Sequence, residues 1–421
     1  MKFKIFKEFD VLVPDKDKVK DLNSWPVVAV DQFTSQPEYW REVRDLVDNK
    51  FSAYYLVYPE AEFEGAELFN AGRVKKINDA MQDYLDKNLF KEYKNAYVYV
   101  ERELLDGSVR TGIIGIVDLE QYDFDPDLKA AIRATEKTVT ERIPPRKAIR
   151  QNAPLELTHV LMLCDDLENN LIKFNKAKLE KIYDLNLMLN GGRICGWLVN
   201  GSEAEEFNKR LEDYINKKSA ESNTPLIFAV GDGNHSLATA KACWEELKAN
   251  NPGKDLSNHP ARYAMVELEN IHEASQKFEP VHRILKNVNA ENLLNDIKKI
   301  CVKAEDKNNS WPVEYVTGAE SGVLYLNKDL GILVTEILQN YLDEYMQNNK
   351  AANIEIDFIH EDKALKDLAS QSENNIGFLL PAIDKTQFFN WVVVNGILPR
   401  KTFSMGHAQE KRYYLEARKI K

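Results

Sequence analysis

The hydrophobic pattern from Pro225 to Leu247 predicts a strand, a tight loop and a helix. Residues 225–230 form a continuous apolar run, which is typical of a buried strand. In residues 236–247 the apolar positions recur every three to four residues, which indicates an amphipathic helix. The loop between them, residues 231–236, has the sequence Gly-Asp-Gly-Asn-His-Ser.

The rest of the chain also alternates between strand and helix candidates. Two strand candidates flank Asp106 and Gly107, a dipeptide typical of a hairpin turn. The basic segment 141–150 contains two prolines, which are expected to keep part of it out of a helix. From residue 290 onward the alternation indicates an α/β arrangement. Its helix candidates are 290–301, 334–347, 363–370 and 385–395, and its strand candidates are 322–326, 354–359 and 376–380.

We therefore expect a mixed α/β protein in which several mixed sheets are flanked by helices. A chain of 421 residues is too long for one ordinary core. Three regions are predicted: an N-terminal α/β region (1–125), a core that carries the glycine loop (126–289) and a C-terminal α/β region that returns to the site (290–421).

Composition and charge narrow the class of protein. A hydrophobic fraction of 44% with a charged fraction of 29% indicates a globular protein rather than a disordered or fibrous one. The net charge of -11 argues against a general surface for nucleic acid or anionic membranes, so small-molecule partners are expected. Four widely spaced cysteines indicate reduced, buried thiols, and no run of 18 apolar residues occurs. A cytoplasmic location is expected.

The loop 231–236 is the strongest candidate for a binding site. Its two glycines let the backbone turn sharply and let a ligand approach the main chain, and the start of the following helix favours an anion. The loop matches neither the dinucleotide fingerprint nor the nucleotriphosphate-binding loop. An ordinary strand-to-helix turn, in which Asp232 or Ser236 caps the helix, is an equal alternative.

Cationic and polar residues elsewhere are further candidates. The basic segment holds Arg142, Arg146, Lys147 and Arg150, whose side chains suit a phosphate or carboxylate, although a solvated helix face is the alternative.

Three other segments place polar residues beside apolar ones. His282 lies beside Arg283 and is either a base or phosphate donor, or a packed histidine. Asp31 and Thr34 follow an apolar run as ligand contacts or helix caps. A donor-rich loop near the C-terminus contains Arg400, Lys401, Thr402 and Ser404.

Taken together, these segments resemble a known family. Asp232 to Ser236, with Ala-Thr-Ala at 238–240, is similar to the Asp-Gly-His-His-Arg signature of the domain-of-unknown-function 1015 family. Further stretches fall in the family's order from about Ala96 to the C-terminus. They are Glu136 to Thr138, Pro280 to Arg283, Phe358 to Glu361, and Leu398 to Phe403.

The resemblance implies phosphoryl chemistry. At this loop the family is similar to the ParB/sulfiredoxin superfamily, which includes partition proteins, sulfiredoxin and free-serine kinases. Its genes often lie beside those for phosphoglycerate dehydrogenase and phosphoserine aminotransferase. The implied function is a phosphotransferase or phosphatase acting on serine or O-phosphoserine, with a ParB/sulfiredoxin-like core. The oligomeric state is left open, with a homodimer as one alternative.

This chain departs from the family pattern at three positions. Asn234 replaces the usual first histidine, Ser236 replaces an arginine, and Thr135 stands where the family commonly has histidine. Either this chain binds a different ligand, or a cation from elsewhere supplies the missing charge, for which the candidates are Arg146, Arg150, Arg283 and Lys401.

Two hypotheses follow. In the first, an enzyme holds phosphate in the glycine loop, and a nucleotide such as ATP or ADP brings Mg²⁺, for which Asp232 is the nearest carboxylate. In the second, the protein binds a nucleotide or amino acid and regulates without catalysis. The predicted catalytic residues are Asp232, His235 and His282, and the predicted phosphate- or substrate-binding residues are Gly231, Gly233, Asn234, Ser236, Arg283, Arg146, Lys401, Thr402 and Thr138.

Overall fold

The computed structural model describes residues 4–34, 36–63, 70–136, 138, 143–157, 160–331, 333–350, 353–399 and 401–421. Arg142 and Arg400 therefore lie outside the described residues. The chain divides into two compact units. Unit 1 takes the described residues up to Gln276, together with Phe389–Gly396 and His407–Lys421, and unit 2 takes Lys277–Phe388 and Ile397–Gly406.

The elements are numbered in chain order. The strands are β1 (Phe6–Lys7), β2 (Phe9–Pro14), β3 (Phe90–Glu103), β4 (Val109–Asp118), β5 (Tyr122–Asp123), β6 (Ile132–Arg133), β7 (Leu155–Glu156), β8 (Leu161–Cys164), β9 (Glu180–Asn186), β10 (Arg193–Val199), β11 (Phe228–Asp232), β12 (Tyr263–Asn270), β13 (Phe278–Pro280), β14 (His282–Lys286), β15 (Ser310–Thr317), β16 (Ser321–Asn327), β17 (Glu355–Ile359), β18 (Ile376–Leu379), β19 (Phe403–Met405) and β20 (Arg418–Lys419). The helices are α1 (Pro37–Val47), α2 (Ala71–Asp86), α3 (Ile143–Asn152), α4 (Gly201–Glu221), α5 (Asn234–Ala249), α6 (Ala290–Ile297), α7 (Val334–Asn348), α8 (Asp362–Ala369) and α9 (Phe388–Asn395).

Unit 1 is built on one large mixed sheet. Its strand order is β5-β6-β11-β8-β12-β4-β3-β10-β9, with β1 paired to β4 and β2 paired to β3. The pairs β5–β6, β6–β11 and β8–β12 are parallel, whereas the hairpin β3–β4 and its neighbours are antiparallel. The glycine loop therefore follows a strand that lies inside this sheet.

Both faces of the large sheet are covered by hydrophobic side chains. Successive strand residues point to opposite faces, so Val98 and Val100 of β3 belong to one core while Tyr97 and Tyr99 belong to the other. The same division separates Met265 from its neighbours on β12. Burial on both faces explains why a central strand such as β8 is a continuous apolar run in the sequence.

Unit 2 is a smaller α/β unit. Its five-stranded sheet has the order β16-β15-β18-β14-β17, with every neighbouring pair antiparallel. Helices α6 and α7 contribute to one hydrophobic cluster, and α8 contributes Leu365 and Ala369 to another. A separate pair, β13 and β19, joins the start of the unit to its C-terminal segment.

The predicted fold class, mixed α/β, is confirmed. The hairpin at Asp106 and Gly107 forms, with Gly107 at φ +80°. Each helix and strand candidate beyond residue 290 has an observed counterpart, α6 to α9 and β16 to β18. Strand β15 had no predicted counterpart. The three-region division and the ParB/sulfiredoxin-like core stay predictions.

The expectation for the basic segment was wrong for residues 143–150, the part of it that the structure describes. Pro144 and Pro145 lie in the first turn of α3, which begins at Ile143. The first helical N–H groups have no partner within a helix, so prolines are tolerated there. The segment is therefore helical from Ile143, and Arg146 and Arg150 are one turn apart on it.

Candidate functional site

The glycine loop joins the end of β11 to the start of α5. Gly233 has φ +84°, in the left-handed region that favours glycine, and it stands immediately before the first helical residue. The N-cap residue of α5 is Gly233, which has no side chain to cap the helix. Asp232 Oδ1 accepts a hydrogen bond from Gly233 N at 2.9 Å, and the capping roles considered for Asp232 and Ser236 stay predictions.

The cation at the loop is Lys411, which the sequence analysis missed. Its Nζ lies 3.2 Å from Asp232 Oδ2, and its side chain is only 16% exposed. Burial lowers the pKa of Lys411, but the charges of Asp232, Asp31 and Glu136 outweigh it, so the net pKa is raised. The ammonium is thus held in its charged form.

Backbone pairing positions Lys411. Ala29 N donates to Lys411 O at 2.7 Å, and Tyr413 N donates to Val27 O at 2.9 Å. Arg412, which lies between Lys411 and Tyr413, is fully buried and donates to two main-chain carbonyl groups. These contacts hold the backbone on both sides of Arg412 in place. The segment 407–421 had no motif that pointed to this role. Its cations are separated from the loop by about 180 residues of sequence.

Asp31 lies close enough to Lys411 and Tyr413 for its charge to shift their pKa values. It is exposed, and its Oδ1 accepts a hydrogen bond from Gln32 Nε2 at 2.9 Å. The N-cap residue of the following helix, α1, is Gln36 rather than Asp31 or Thr34. The charge of Asp31 contributes to the raised pKa of Lys411 and also helps burial to raise the pKa of Tyr413.

Asn234 is part of the scaffold of the loop. It is buried, and its Oδ1 accepts a hydrogen bond from Thr135 N at 3.3 Å. Thr135 is itself fully buried and donates through Oγ1 to Val230 O at 2.6 Å. These contacts tie the segment before α3 to the end of β11. The two departures from the family pattern, Asn234 and Thr135, are therefore in direct contact.

His235, Ser236 and Thr138 are further predicted residues that lie in unit 1. His235 is half-buried, and its carbonyl accepts a hydrogen bond from Thr239 Oγ1 at 2.7 Å. Ser236 is also half-buried and lines a cavity. Thr138 is buried, and its hydroxyl makes no hydrogen bond among the residues that the structure describes.

The cavity beside α5 encloses about 100 Å³. Helix α3 packs against α5, which brings Arg146 and Ser236 to the same cavity wall. Arg146 is paired with Glu60, and both side chains are largely buried. Tyr413 also lines the cavity, and burial raises the pKa of its phenol. The cavity therefore joins one predicted cation, Arg146, to the helix that carries the glycine loop.

The remaining predicted residues lie in unit 2. His282 is buried; its Nδ1 accepts from Leu380 N at 3.1 Å, and its Nε2 lies 2.8 Å from Asp362 Oδ1. Burial lowers the pKa of His282, opposed in part by Asp362. Both ring nitrogens are thus engaged, as in the packed histidine that the sequence left open. Its catalytic role stays a prediction.

Arg283 and the C-terminal loop are bound to each other within unit 2. Arg283 is fully buried and donates to Gln339 Oε1 at 2.7 Å, Val281 O at 2.6 Å and Lys401 O at 3.0 Å. Lys401 itself has φ +57°. Thr402 is buried and donates to Pro399 O at 2.6 Å. Phosphate binding by these residues stays a prediction.

Possible metal ligands were the next feature expected near Asp232. Among the described residues, no group of three or more His, Cys, Asp or Glu side chains is arranged to hold a metal ion. Asp232, the predicted ligand, is paired with Lys411. Mg²⁺ commonly retains waters and takes its remaining ligands from substrate phosphates, so Mg²⁺ binding at Asp232 stays a prediction.

Family comparison gives the class of the protein. The chain belongs to the family described as Protein of unknown function (DUF1015), which it matches over residues 11–419. The resemblance recognised in the sequence is confirmed, and it extends N-terminally beyond Ala96. No curated protein matches the chain.

Three solved structures illustrate its similarity in fold. A conserved hypothetical protein from Pyrococcus furiosus has 10% identity and a TM-score of 0.36, covering 73% of this chain and 94% of that one. A free serine kinase in complex with AMP has 11% identity and a TM-score of 0.38, covering 72% and 91%. SbnI with a C-terminal truncation, from Staphylococcus aureus, has 10% identity and a TM-score of 0.37, covering 69% and 81%.

The helices of the described residues were also compared with the length and hydropathy that a membrane span requires. None of them is both long and apolar enough to cross a bilayer.

Proposed function

We propose that this protein is a phosphoryl-transfer enzyme that acts on serine or O-phosphoserine. The observation that carries the proposal is the convergence at the glycine loop of a helix N-terminus, whose N-cap residue is a glycine, with the Lys411–Asp232 pair. The N–H groups at the start of α5 attract an anion, and Lys411 adds a full positive charge. The family resemblance at residues 232–236 supports the same chemistry.

Each residue then has a stated role. The phosphoryl group lies against Gly231, Gly233 and the first turn of α5, and Lys411 neutralises charge on its oxygens. Asp232 or His235 takes the proton from the serine hydroxyl as the hydroxyl oxygen attacks phosphorus and the bond to the leaving oxygen breaks. Lys411 is also the cation that replaces the arginine absent at Ser236.

Mg²⁺, carried by the phosphates of ATP or ADP, supplies further charge neutralisation when it is bound. Asp232 is the nearest candidate carboxylate for it. The assignments of Thr138, His282, Arg283, Lys401 and Thr402 to phosphate binding or catalysis are kept as secondary proposals.

Phosphorus NMR on the purified protein tests the proposal. The protein is incubated with O-phosphoserine and Mg²⁺, with and without ADP, and in a second series serine is incubated with ATP. Free phosphate without nucleotide identifies a phosphatase, whereas ATP formed only with ADP identifies a reversible serine kinase. Inert mixtures throughout contradict the proposal and favour the regulatory, non-catalytic alternative.

A pair of variants links any activity to the loop. Asp232→Asn removes the carboxylate that pairs with Lys411, and we expect it to lower turnover by at least about 100-fold, as loss of a general base does. Asp213→Asn, which changes an exposed carboxylate on α4, is the matched control and is expected to retain turnover. Equal turnover in both variants would remove Asp232 from the mechanism.

A further inference from the structure

A residue that lines the cavity beside α5 carries a buried cationic nitrogen that the proposed function does not use. Arg150 lines the cavity, and its side chain is 11% exposed. Its Nη1 lies 2.6 Å from Glu156 Oε1. Its Nη2 is buried and makes no hydrogen bond among the residues that the structure describes. A buried charged donor without a partner is costly, so this nitrogen indicates a missing anionic partner.

The other polar groups around the cavity define what that partner carries. Arg146 lies one turn before Arg150 on α3 and therefore shares its helix face. Glu60 is paired with Arg146, and Ser236 and Thr239 reach the cavity from the first turns of α5. The cavity is thus lined by two arginines and two glutamates, Glu60 and Glu156, beside the end of α5 that follows the glycine loop.

The remaining wall is apolar, and the space is small. Val30, Leu56, Phe63, Met81 and Ile149 contribute to it. An engineered cavity of about 150 Å³ holds benzene, so the 100 Å³ here suits a ligand portion of only a few heavy atoms. This volume is too small for a nucleotide, since pockets for larger ligands are roughly 300 Å³ or more.

We infer that this cavity binds the α-carboxylate and α-ammonium groups of a small amino acid. The carboxylate accepts hydrogen bonds from Arg150 Nη2 and Arg146, because a guanidinium fork matches a planar carboxylate. Glu60 faces the ammonium group. This inference rests on the proposed function for the position of the side chain, whose hydroxyl or phosphate extends towards the N-terminus of α5.

Ligand analogues test the inference on the wild-type chain. Isothermal titration compares L-serine with ethanolamine, which has the same hydroxyl and amine but lacks the carboxylate. It also compares O-phosphoserine with phosphoethanolamine. We expect removal of the carboxylate to weaken binding by at least about tenfold, as loss of a charge-assisted hydrogen bond does. Equal affinity within each pair, or no binding of either amino acid, would overturn the inference.

Variants on α3 locate the effect. Arg150→Met removes the Nη2 donor while leaving Glu156 paired with Arg418, and we expect at least about tenfold weaker serine binding. Arg150→Lys keeps the charge beside Glu156 but lacks the second N–H arm, so the same loss is expected even if Arg150→Met does not fold. The matched control is Lys147→Met, because Lys147 pairs with Glu246 at 2.9 Å instead of lining the cavity. Unchanged affinity in Arg150→Lys would contradict the assignment.

The binding titrations and the NMR assay can contradict the amino-acid site and the enzyme proposal separately. If phosphoryl transfer occurs equally with phosphoethanolamine and O-phosphoserine, the carboxylate site is wrong while the enzyme proposal stands. If serine binds in an Arg150-dependent way and every transfer mixture is inert, the amino-acid site stands while the enzyme proposal fails.

Discussion

At the scale of single residues, Lys411 links the C-terminal segment to the glycine loop. It is largely buried beside Asp232, and the charges of Asp31 and Glu136 also act on it. Without the ammonium group, these carboxylates would repel each other. The ion pair therefore has two consequences: it fixes the orientation of Asp232 and it provides a cation at the start of α5.

Replacing Lys411 tests both consequences. Lys411→Met should weaken binding of O-phosphoserine by at least about tenfold, because it removes a phosphate-binding charge and leaves Asp232 without its partner. Isothermal titration measures this change. Lys419→Met, in the same segment, alters an exposed lysine that lies 3.5 Å from Glu92 and is expected to bind as the wild type does. Equal binding by Lys411→Met and Lys419→Met would remove Lys411 from the site.

At the scale of elements, the junction between β11 and α5 depends on one glycine. Gly233 occupies the left-handed region at φ +84°, just where the strand must turn into the helix. A side chain there strains the backbone. Relieving this strain would move the first turn of α5. Ser236 lies in that turn and lines the cavity, so its position would change as well.

Two glycine variants distinguish the effect of backbone strain on stability from the effect of the loop geometry on ligand binding. Gly233→Ala and Gly253→Ala, with φ +84° and +80°, should each lower the free energy of unfolding by about 1–2 kcal/mol in urea denaturation. An added Cβ at Gly253 meets nothing within 4 Å, so that variant carries the strain alone. We expect only Gly233→Ala to weaken ligand binding as well. If both variants bind equally well, the loop geometry is not needed for the ligand.

At the scale of the whole molecule, unit 1 buries several carboxyl groups within its core. Burial raises the pKa of Glu416 to about 7, and the charge of Glu267 adds to this, against hydrogen bonds that include one from Tyr183 OH at 2.5 Å. Burial also raises the pKa of Glu269 and Glu273. The folded chain therefore holds protons on these groups at a pH where the unfolded chain has lost them.

These three groups should consequently contribute less to the stability of the protein as the pH rises. For Glu416 the contribution is complete below pH 4.5, its ordinary pKa, and is lost as the pH rises to and through about 7, a change on the order of 3 kcal/mol. Glu416→Gln cannot ionise, so its free energy of unfolding should fall less than that of the wild type between pH 5 and 8. Glu205→Gln, on the exposed face of α4, is the control. Parallel pH profiles for wild type and Glu416→Gln in urea denaturation would show that Glu416 ionises normally.

The sequence by itself determined the elements and the loop. Hydrophobic periodicity depends on neighbouring residues, so it predicted α5, the hairpin at Asp106 and Gly107, and most elements after residue 290. The stretch 232–236, on which much of the family resemblance depended, is likewise short, and the family itself is confirmed by the match over residues 11–419. The first turn of α3 was missed because the proline rule for helix interiors does not apply there.

Only the tertiary structure decided which charges meet. Lys411 reaches Asp232 because residues 407–421 return to unit 1 and pair there with strands from the N-terminal part of the chain. Arg150 and Ser236 share a cavity because α3 packs against α5. Such contacts depend on long-range packing, and no local pattern of residue types encodes the partner of a distant charge.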